Sequence, residues 1–371
     1  MKKAIKRTAL FAALLFCVIF LIPIPSYAYD CSDEVDSIWN DFWEVIPEEI
    51  EKPSSQEEMI SGVGIDALLS EIVSAISGEG GRGAAFFAMI FGIAMLLAVS
   101  ETAFPIENPA FSKQVSAGVA MISSVLIFKE IGPLCMAVKE SLLLLTDFFS
   151  SLIPIFTAIL TAGGNVNSAH VQALNMNITL SLIAKVSTSF LLPLCFALFS
   201  LALASSIDGG AVSSVAKGVK GAFMWLLGIS TTVILAAVSM QSMISGAADS
   251  AYLRAAKYAA SGMIPVVGST VSSALATLSG GLSYVRSAVG ISSVFIIISV
   301  SLSPLINLLL RRFAFSVSMS LLEYMGSVGG VRVFSAFRAA LDALISVYVI
   351  SVIVYISEII VFIKCGVEVF G

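Results

Sequence analysis

The sequence predicts an all-α fold, a polytopic transmembrane helix bundle with about seven to eight spans after an N-terminal signal peptide. Three observations carry this reading. Hydrophobic residues make up 58% of the 371-residue chain and charged residues 12%, at a mean hydropathy of +0.99. An average soluble domain is roughly 25% charged. Apolar stretches of about 20 residues, the length that crosses a bilayer core, recur along the chain. The first 28 residues read as a secretory signal.

In that signal, Lys2, Lys3, Lys6 and Arg7 form the positive n-region, 9–22 is a short apolar run, and Pro23 and Pro25 break it before Ser26-Tyr27-Ala28. The small residues two apart fit cleavage after Ala28; an uncleaved first helix is the alternative. In both cases the next segment starts outside the cytoplasm. Cys31 follows Ala28, Tyr29 and Asp30, which no lipobox has, and Cys17, Cys135, Cys195 and Cys365 show no paired spacing. The cysteines therefore imply neither a disulfide framework nor a metal site.

Residues 29–83 invert the composition, holding fourteen of the 25 Asp and Glu against only Lys52 and Arg82. Trp39, Phe42, Trp43, Val45 and Ile46 interrupt the acid, so 33–45 and 57–76 read as amphipathic helices. About fifty residues bury little core of their own. This acidic extracytoplasmic arm is expected to lie on the membrane surface or on a partner, with a solvated linker as the bland reading.

The transmembrane helical domain occupies 84–371. Expected spans are 84–100, 115–128, 141–162, 178–205, 221–245, 258–283, 288–310 and 343–363, the second being short and the sixth rich in Ala, Gly and Ser. Residues 313–338 carry Glu323, Arg332 and Arg338 among Phe315, Leu322, Met325 and Phe334, which suits an interfacial helix with snorkelling cations. Basic residues do not orient the spans: with the mature N-terminus outside, Arg311 and Arg312 fall inside but Lys217 and Lys220 outside.

Pro154 and Pro193 are 39 residues apart, as are Pro265 and Pro304, and an offset of 111 superposes the two pairs together with Ser181 on Ser292 and Leu191 on Leu302. Three spans would separate equivalent helices, making the repeats inverted, a transporter-like signature. An apolar alphabet also gives such identities by chance.

Motifs of catalysis are missing: there is no Walker phosphate loop, no HExxH and no intramembrane protease signature. The single histidine, His170, sits in an expected loop, 163–177. No cofactor and no nucleic acid is implied. Ionisable residues inside spans are the better pointers, each costing about 2.5–3.5 kcal/mol at the bilayer centre on insertion scales. Lys185 is the deep one; Asp342 and Glu358, near the ends of the last span, are expected to reach the interface. Small residues such as Gly218, Gly221, Ala222, Ala274, Gly280 and Gly281 predict close helix contacts.

The sharpest local feature is Ser261-Gly262-Met263-Ile264-Pro265-Val266-Val267-Gly268. Pro265 removes a backbone donor and Gly268 permits unusual backbone, so a helix break is expected, tolerable in lipid only when buried or lining water. The run from Lys257-Tyr258 through this element to Val289-Gly290-Ile291 resembles the stage III sporulation protein AE family, and the order of signal, acidic arm and spans agrees over nearly the whole chain. The resemblance implies a multi-pass subunit in the mother-cell membrane around the forespore. It also implies sporulation-complex partners, including a separate ATPase and ring-forming proteins, in an assembly acting as a channel. The family supplies no catalytic residues to transfer. Two readings follow: a membrane-embedded channel or export-complex subunit, or a stand-alone secondary permease with 3+3 inverted repeats. Lys185, Pro154, Pro193, Pro265, Gly268 and Pro304 are the positions singled out for either.

Overall fold

The computed structural model describes residues 65–102, 109–162, 166–204, 212, 214–238 and 268–364, and every regular element among them is helical. The signal peptide, most of the acidic arm and Pro265 lie outside the described residues. The helices are α1 (Ile65–Thr102), α2 (Pro109–Ala162), α3 (Val166–Lys185), a π-helical turn (Val186–Leu191), α4 (Leu192–Ala204), α5 (Ser214–Val238), α6 (Gly268–Tyr324) and α7 (Val328–Lys364). α3, the π-turn and α4 run on as one rod, and among the described residues six helices are long and apolar enough to cross a membrane.

That count is below the seven or eight expected: 115–128 and 141–162 are one helix, the 54-residue α2, and the expected span 258–283 lies partly outside the described residues and otherwise belongs to α6. The charges at Lys129, Glu130, Lys139 and Glu140 interrupt the hydropathy but not the helix, since Lys, Glu, Leu and Met are all good helix formers. Pro133 and Pro154 sit inside α2 on exposed positions. The expected loop 163–177 is likewise mostly helix, with His170 exposed on α3.

The interfacial helix expected over 313–338 is also corrected. Its first half finishes α6, its second half begins α7, and Phe315, Leu322, Phe334 and Phe337 are fully enclosed. Their burial comes from pairing, because the two halves fold back on each other about a tight turn. Gly326 adopts φ +75°, a conformation glycine reaches without a Cβ penalty. The Ser327 N–H donates to the Leu322 carbonyl and the Gly326 N–H to the Glu323 carbonyl, the paired bonds of a Schellman motif. Ser327 then caps the next helix, its Oγ accepting from the Gly330 N–H at 3.2 Å. Glu101 at the end of α1 reaches the same helix start, its carboxylate accepting from the Gly329 and Gly330 N–H groups at 3.3 and 3.2 Å. A negative group at a helix N-terminus is favourable.

Contacts between helices set the register of the bundle. α1 runs parallel to α6, with Asn307 donating to Glu79 at 2.6 Å and Phe86 packed on Phe315. α7 runs antiparallel to α6, with the Tyr348 hydroxyl donating to the Ser301 carbonyl and Gly290 closed over by Ile359 and Ile363. α2 runs parallel to α7 through Ser141 with Tyr348, Thr146 with Tyr355 and the stacked rings of Phe156 and Phe362. The α3–α4 rod runs antiparallel to α7, from Ser187 beside Ser351 to Phe199 beside Phe337. α7 thus touches α1, α2, α3, the π-turn, α4 and α6. Buried residues fill 61% of its apolar window against 22% of the window of α5, which makes α7 the axis and α5 a peripheral helix.

This register divides the bundle into two apolar levels. The apolar part of α1, 84–100, lies beside 310–324 of α6 and the start of α7, while 288–310 and 343–363 lie one level away beside the second half of α2. Between the levels fall Glu79, Arg82, Lys129, Glu130, Lys139, Glu140, Arg311, Arg312, Arg338 and Asp342. Arg312 pairs with Asp342, and Arg311 folds onto Asn307 and the Phe86 ring. A 54-residue helix is ~80 Å long against a hydrocarbon core of ~30 Å, so one flat bilayer covers one level only. Leu96 and Leu174, both 65% exposed, mark the two levels, ~45 Å apart along the axis at 1.5 Å per residue. Tryptophan placed at Leu96 or at Leu174, with Trp39, Trp43 and Trp225 changed to Phe, is expected to be quenched by brominated lipid at one of the two sites. Equal quenching at both would contradict this register.

Candidate functional site

Four buried side chains that carry polar atoms line one face of α7. Tyr348, Ser351, Tyr355 and Glu358 follow one another at steps of three, four and three residues, a spacing that keeps them on one side of a helix, ~15 Å from end to end. Each meets a different neighbour. The Tyr348 hydroxyl shares a 2.8 Å hydrogen bond with Ser141 of α2 and donates to the Ser301 carbonyl of α6 at 3.3 Å. Ser351 lies 2.9 Å from the Ser187 hydroxyl in the π-turn, and Tyr355 2.8 Å from Thr146 of α2. Glu358 is 0% exposed. The buried Thr179 side chain of α3 interacts with its carboxyl group, yet among the described residues neither oxygen has a well-formed hydrogen bond.

The expectation that Glu358 reaches the interface is therefore overturned. It is fully enclosed, with its carboxyl group against Thr179 of α3. Asp342, expected there too, is half-buried and held by Arg312.

The irregular turn beside the seam follows from Pro193. Proline has no N–H and crowds the preceding turn, so the helix widens before it. The Leu192 N–H donates to the Ser187 carbonyl five residues back, the π-helical pattern. Lys185 is the last residue of α3 before this turn and Pro193 the second of α4 after it, so the structure brings these two predicted positions to the ends of one irregularity. Both side chains are exposed, and Lys185 is not in the bundle interior. Pro154 is exposed on α2. Pro304 is half-buried inside α6, which shows no irregular turn there. Pro193 and its repeat counterpart Pro304 thus differ in local structure. Gly268 begins α6.

A small cleft opens where the π-turn, α5 and α7 meet, lined by Ser187, Ser230, Thr231 and Ser351 among aliphatic side chains such as Leu227 and Val347. No group of three or more His, Cys, Asp or Glu suited to a metal is found among the described residues. Hydroxyls that both donate and accept can lock helix register and relay hydrogen bonds; the carboxyl group alone in the seam can carry charge. The seam was missed in sequence, although its three-four-three spacing of polar residues within an apolar span was there to be read.

Against this geometry, comparison with known proteins gives a clear result. The family model for stage III sporulation protein AE matches residues 51–366. The chain belongs to the stage III sporulation protein AE family. It is 24% identical over 315 residues to the stage III sporulation protein AE of Bacillus subtilis (strain 168), covering 80% of this chain and 76% of that protein. No solved structure matches. Family membership assigns a sporulation role, and the six apolar helices assign a multi-pass membrane protein.

The seam generates a stability prediction. Interhelical hydrogen bonds in membrane bundles average ~0.6 kcal/mol. Tyr348→Phe and Tyr355→Phe are each expected to cost about 0.5–1.5 kcal/mol in reversible unfolding in mixed micelles. Ser200→Ala, which removes an exposed hydroxyl bonded only to its own helix at the Phe196 carbonyl, serves as the control and should change little.

Proposed function

We propose that this protein is a membrane-embedded subunit of a sporulation channel or export complex that links mother cell and forespore and is required for forespore development. The observation that carries the subunit reading is the filled axis of the bundle. Phe149, Phe156, Phe199, Phe337, Tyr348, Tyr355 and Phe362 occupy the centre with at most 1% exposure. A passage for solutes would therefore run between this chain and its neighbours. The family match supports the sporulation setting.

In this reading the protein sits in the mother-cell membrane around the forespore, in contact with lipid. Its partners are other membrane proteins of the complex, a separate ATPase and ring-forming proteins. The chain itself supplies packing surfaces and an acidic arm but no nucleotide-binding loop, and we assign it no catalytic role. Apolar side chains such as Leu96, Ile122, Leu174 and Trp225 stand exposed on four different helices, which supports extensive contact with lipid and with neighbouring helices.

One observation favours the stand-alone permease instead: an enclosed carboxyl group, Glu358, on the same α7 face whose Ser351 meets a π-turn, a kind of helix irregularity frequent at functional sites. The two readings separate experimentally. Deleting 33–46, where aromatics sit among acids, is expected to weaken recovery of the sporulation partners in a pull-down and to block sporulation after engulfment. Gradient-driven solute transport by the purified chain alone in liposomes, with sporulation intact when the chain is lost, would establish the permease and refute the complex.

A further inference from the structure

Glu358 is the group whose burial neither the fold nor the proposed complex explains. An ionised carboxylate taken out of water is stabilised by an opposite charge, by hydrogen bonds or by a bound cation. Glu358 has 0% exposure, and its oxygens have no well-formed hydrogen bond among the described residues. It also belongs to a row of oxygen-bearing side chains. Tyr355 is one turn before it on the same face, Thr179 adjoins its carboxyl group from α3, and Ser351 joins the row to the cleft at the π-turn.

We infer that Glu358, with Thr179 and the hydroxyl row of α7, forms an internal binding site for a small monovalent cation, a proton or a sodium ion. The chemistry common to both is a lone carboxyl group among neutral oxygen ligands, a setting that favours one positive charge. A divalent ion finds no second carboxylate on the seam and commonly takes six or more oxygen ligands. The titratable groups on the elements packed around this stretch are Tyr284 and Arg286 on α6, Asp147 on α2, His170 and Lys185 on α3, and Tyr355 and Lys364 on α7. Of these, Arg286 and Tyr355 are buried, Tyr284 is half-buried, and Asp147, His170, Lys185 and Lys364 face outward. Ser351, two turns before Glu358 on the same face, lines the cleft at the π-turn. The inference rests on neither functional reading, since a gated channel subunit and a coupled permease can both use a bound ion.

The test is thermal unfolding of the full chain in lipid nanodiscs, comparing wild type with Glu358→Gln, which keeps the shape and removes the charge. A ligand that binds the folded state raises Tm by mass action. Sodium is varied against choline at constant ionic strength and pH, and pH is varied separately without sodium. A site that takes up a proton on folding adds stability as pH falls. The wild type is expected to gain several degrees from one of the two ions at ~100 times its Kd, and Glu358→Gln to lose that gain. A sodium response identifies the sodium ion, and a pH response without a sodium response identifies the proton. If Glu358→Gln does not fold, Thr179→Val takes its place, and a weakened ion response is expected. Identical responses of wild type and the folded variant to both ions overturn the site.

Discussion

Inside a bilayer, one helix gains little by leaving lipid for another helix, because lipid tails are as apolar as leucine. What fixes the arrangement is close packing and hydrogen bonds between side chains that have no water to turn to. In this protein both requirements converge on α7. It carries the hydroxyl seam, it stacks Phe362 on Phe156 at a centroid distance of 3.8 Å, and it presses Ile359 and Ile363 against the bare backbone at Gly290. The remaining helices are placed by what they offer to it: Ser141 and Thr146 from α2, Ser187 from the π-turn, the Ser301 carbonyl from α6 and the Glu101 carboxylate from α1. The irregular backbone at Val186–Leu191 packs Val186, Ser187 and Leu191 toward α7 and α5, with Ser187 bonded to Ser351.

The two-level layout follows from these contacts and bears on the proposed complex. With the α1–α6 register set by Glu79 and Asn307, the apolar stretch of α1 is offset from the apolar stretches of the α6–α7 hairpin. Among the charged residues between the levels, Arg312 pairs with Asp342 and Arg82 with Glu79, while Arg311 rests on Asn307 and the Phe86 ring. Such a belt suits a membrane–water boundary, where long cationic side chains reach headgroups and water. The level left outside the bilayer keeps apolar side chains on its outer wall, a surface that the proposed complex would cover. This is the geometry expected of a subunit, and it agrees with an axis too full to conduct.

How much of this was legible in the sequence depended on whether the signal was local. Hydropathy identified the helical class and most of the apolar stretches, and the proline spacing singled out Pro193, next to which the π-turn occurs. Register was not legible, because hydropathy gives lengths of apolar stretches and says nothing about which part of one helix lies beside another. The helix joining 115–128 to 141–162 was hidden because Lys129, Glu130, Lys139 and Glu140 lower hydropathy while favouring helix. The seam was hidden by averaging: Tyr348, Ser351 and Tyr355 barely disturb a mean dominated by Ile and Val. Glu358 was misplaced because distance from the end of a span was taken as depth, whereas the neighbours folded over it decide its burial. The glycines at 329 and 330 gave no sign that a carboxylate from α1 would rest on them.

The account's central claim is that α7 is the axis against which the other helices are keyed through its polar face. Disulfide trapping tests it most directly. In a chain with Cys17, Cys31, Cys135, Cys195 and Cys365 replaced by Ser or Ala, cysteines are introduced in place of Ser187 and Ser351, whose hydroxyl oxygens lie 2.9 Å apart. The account predicts rapid, intramolecular disulfide formation in native membranes under mild oxidation. No bond, or bonds formed only between separate chains, would contradict it.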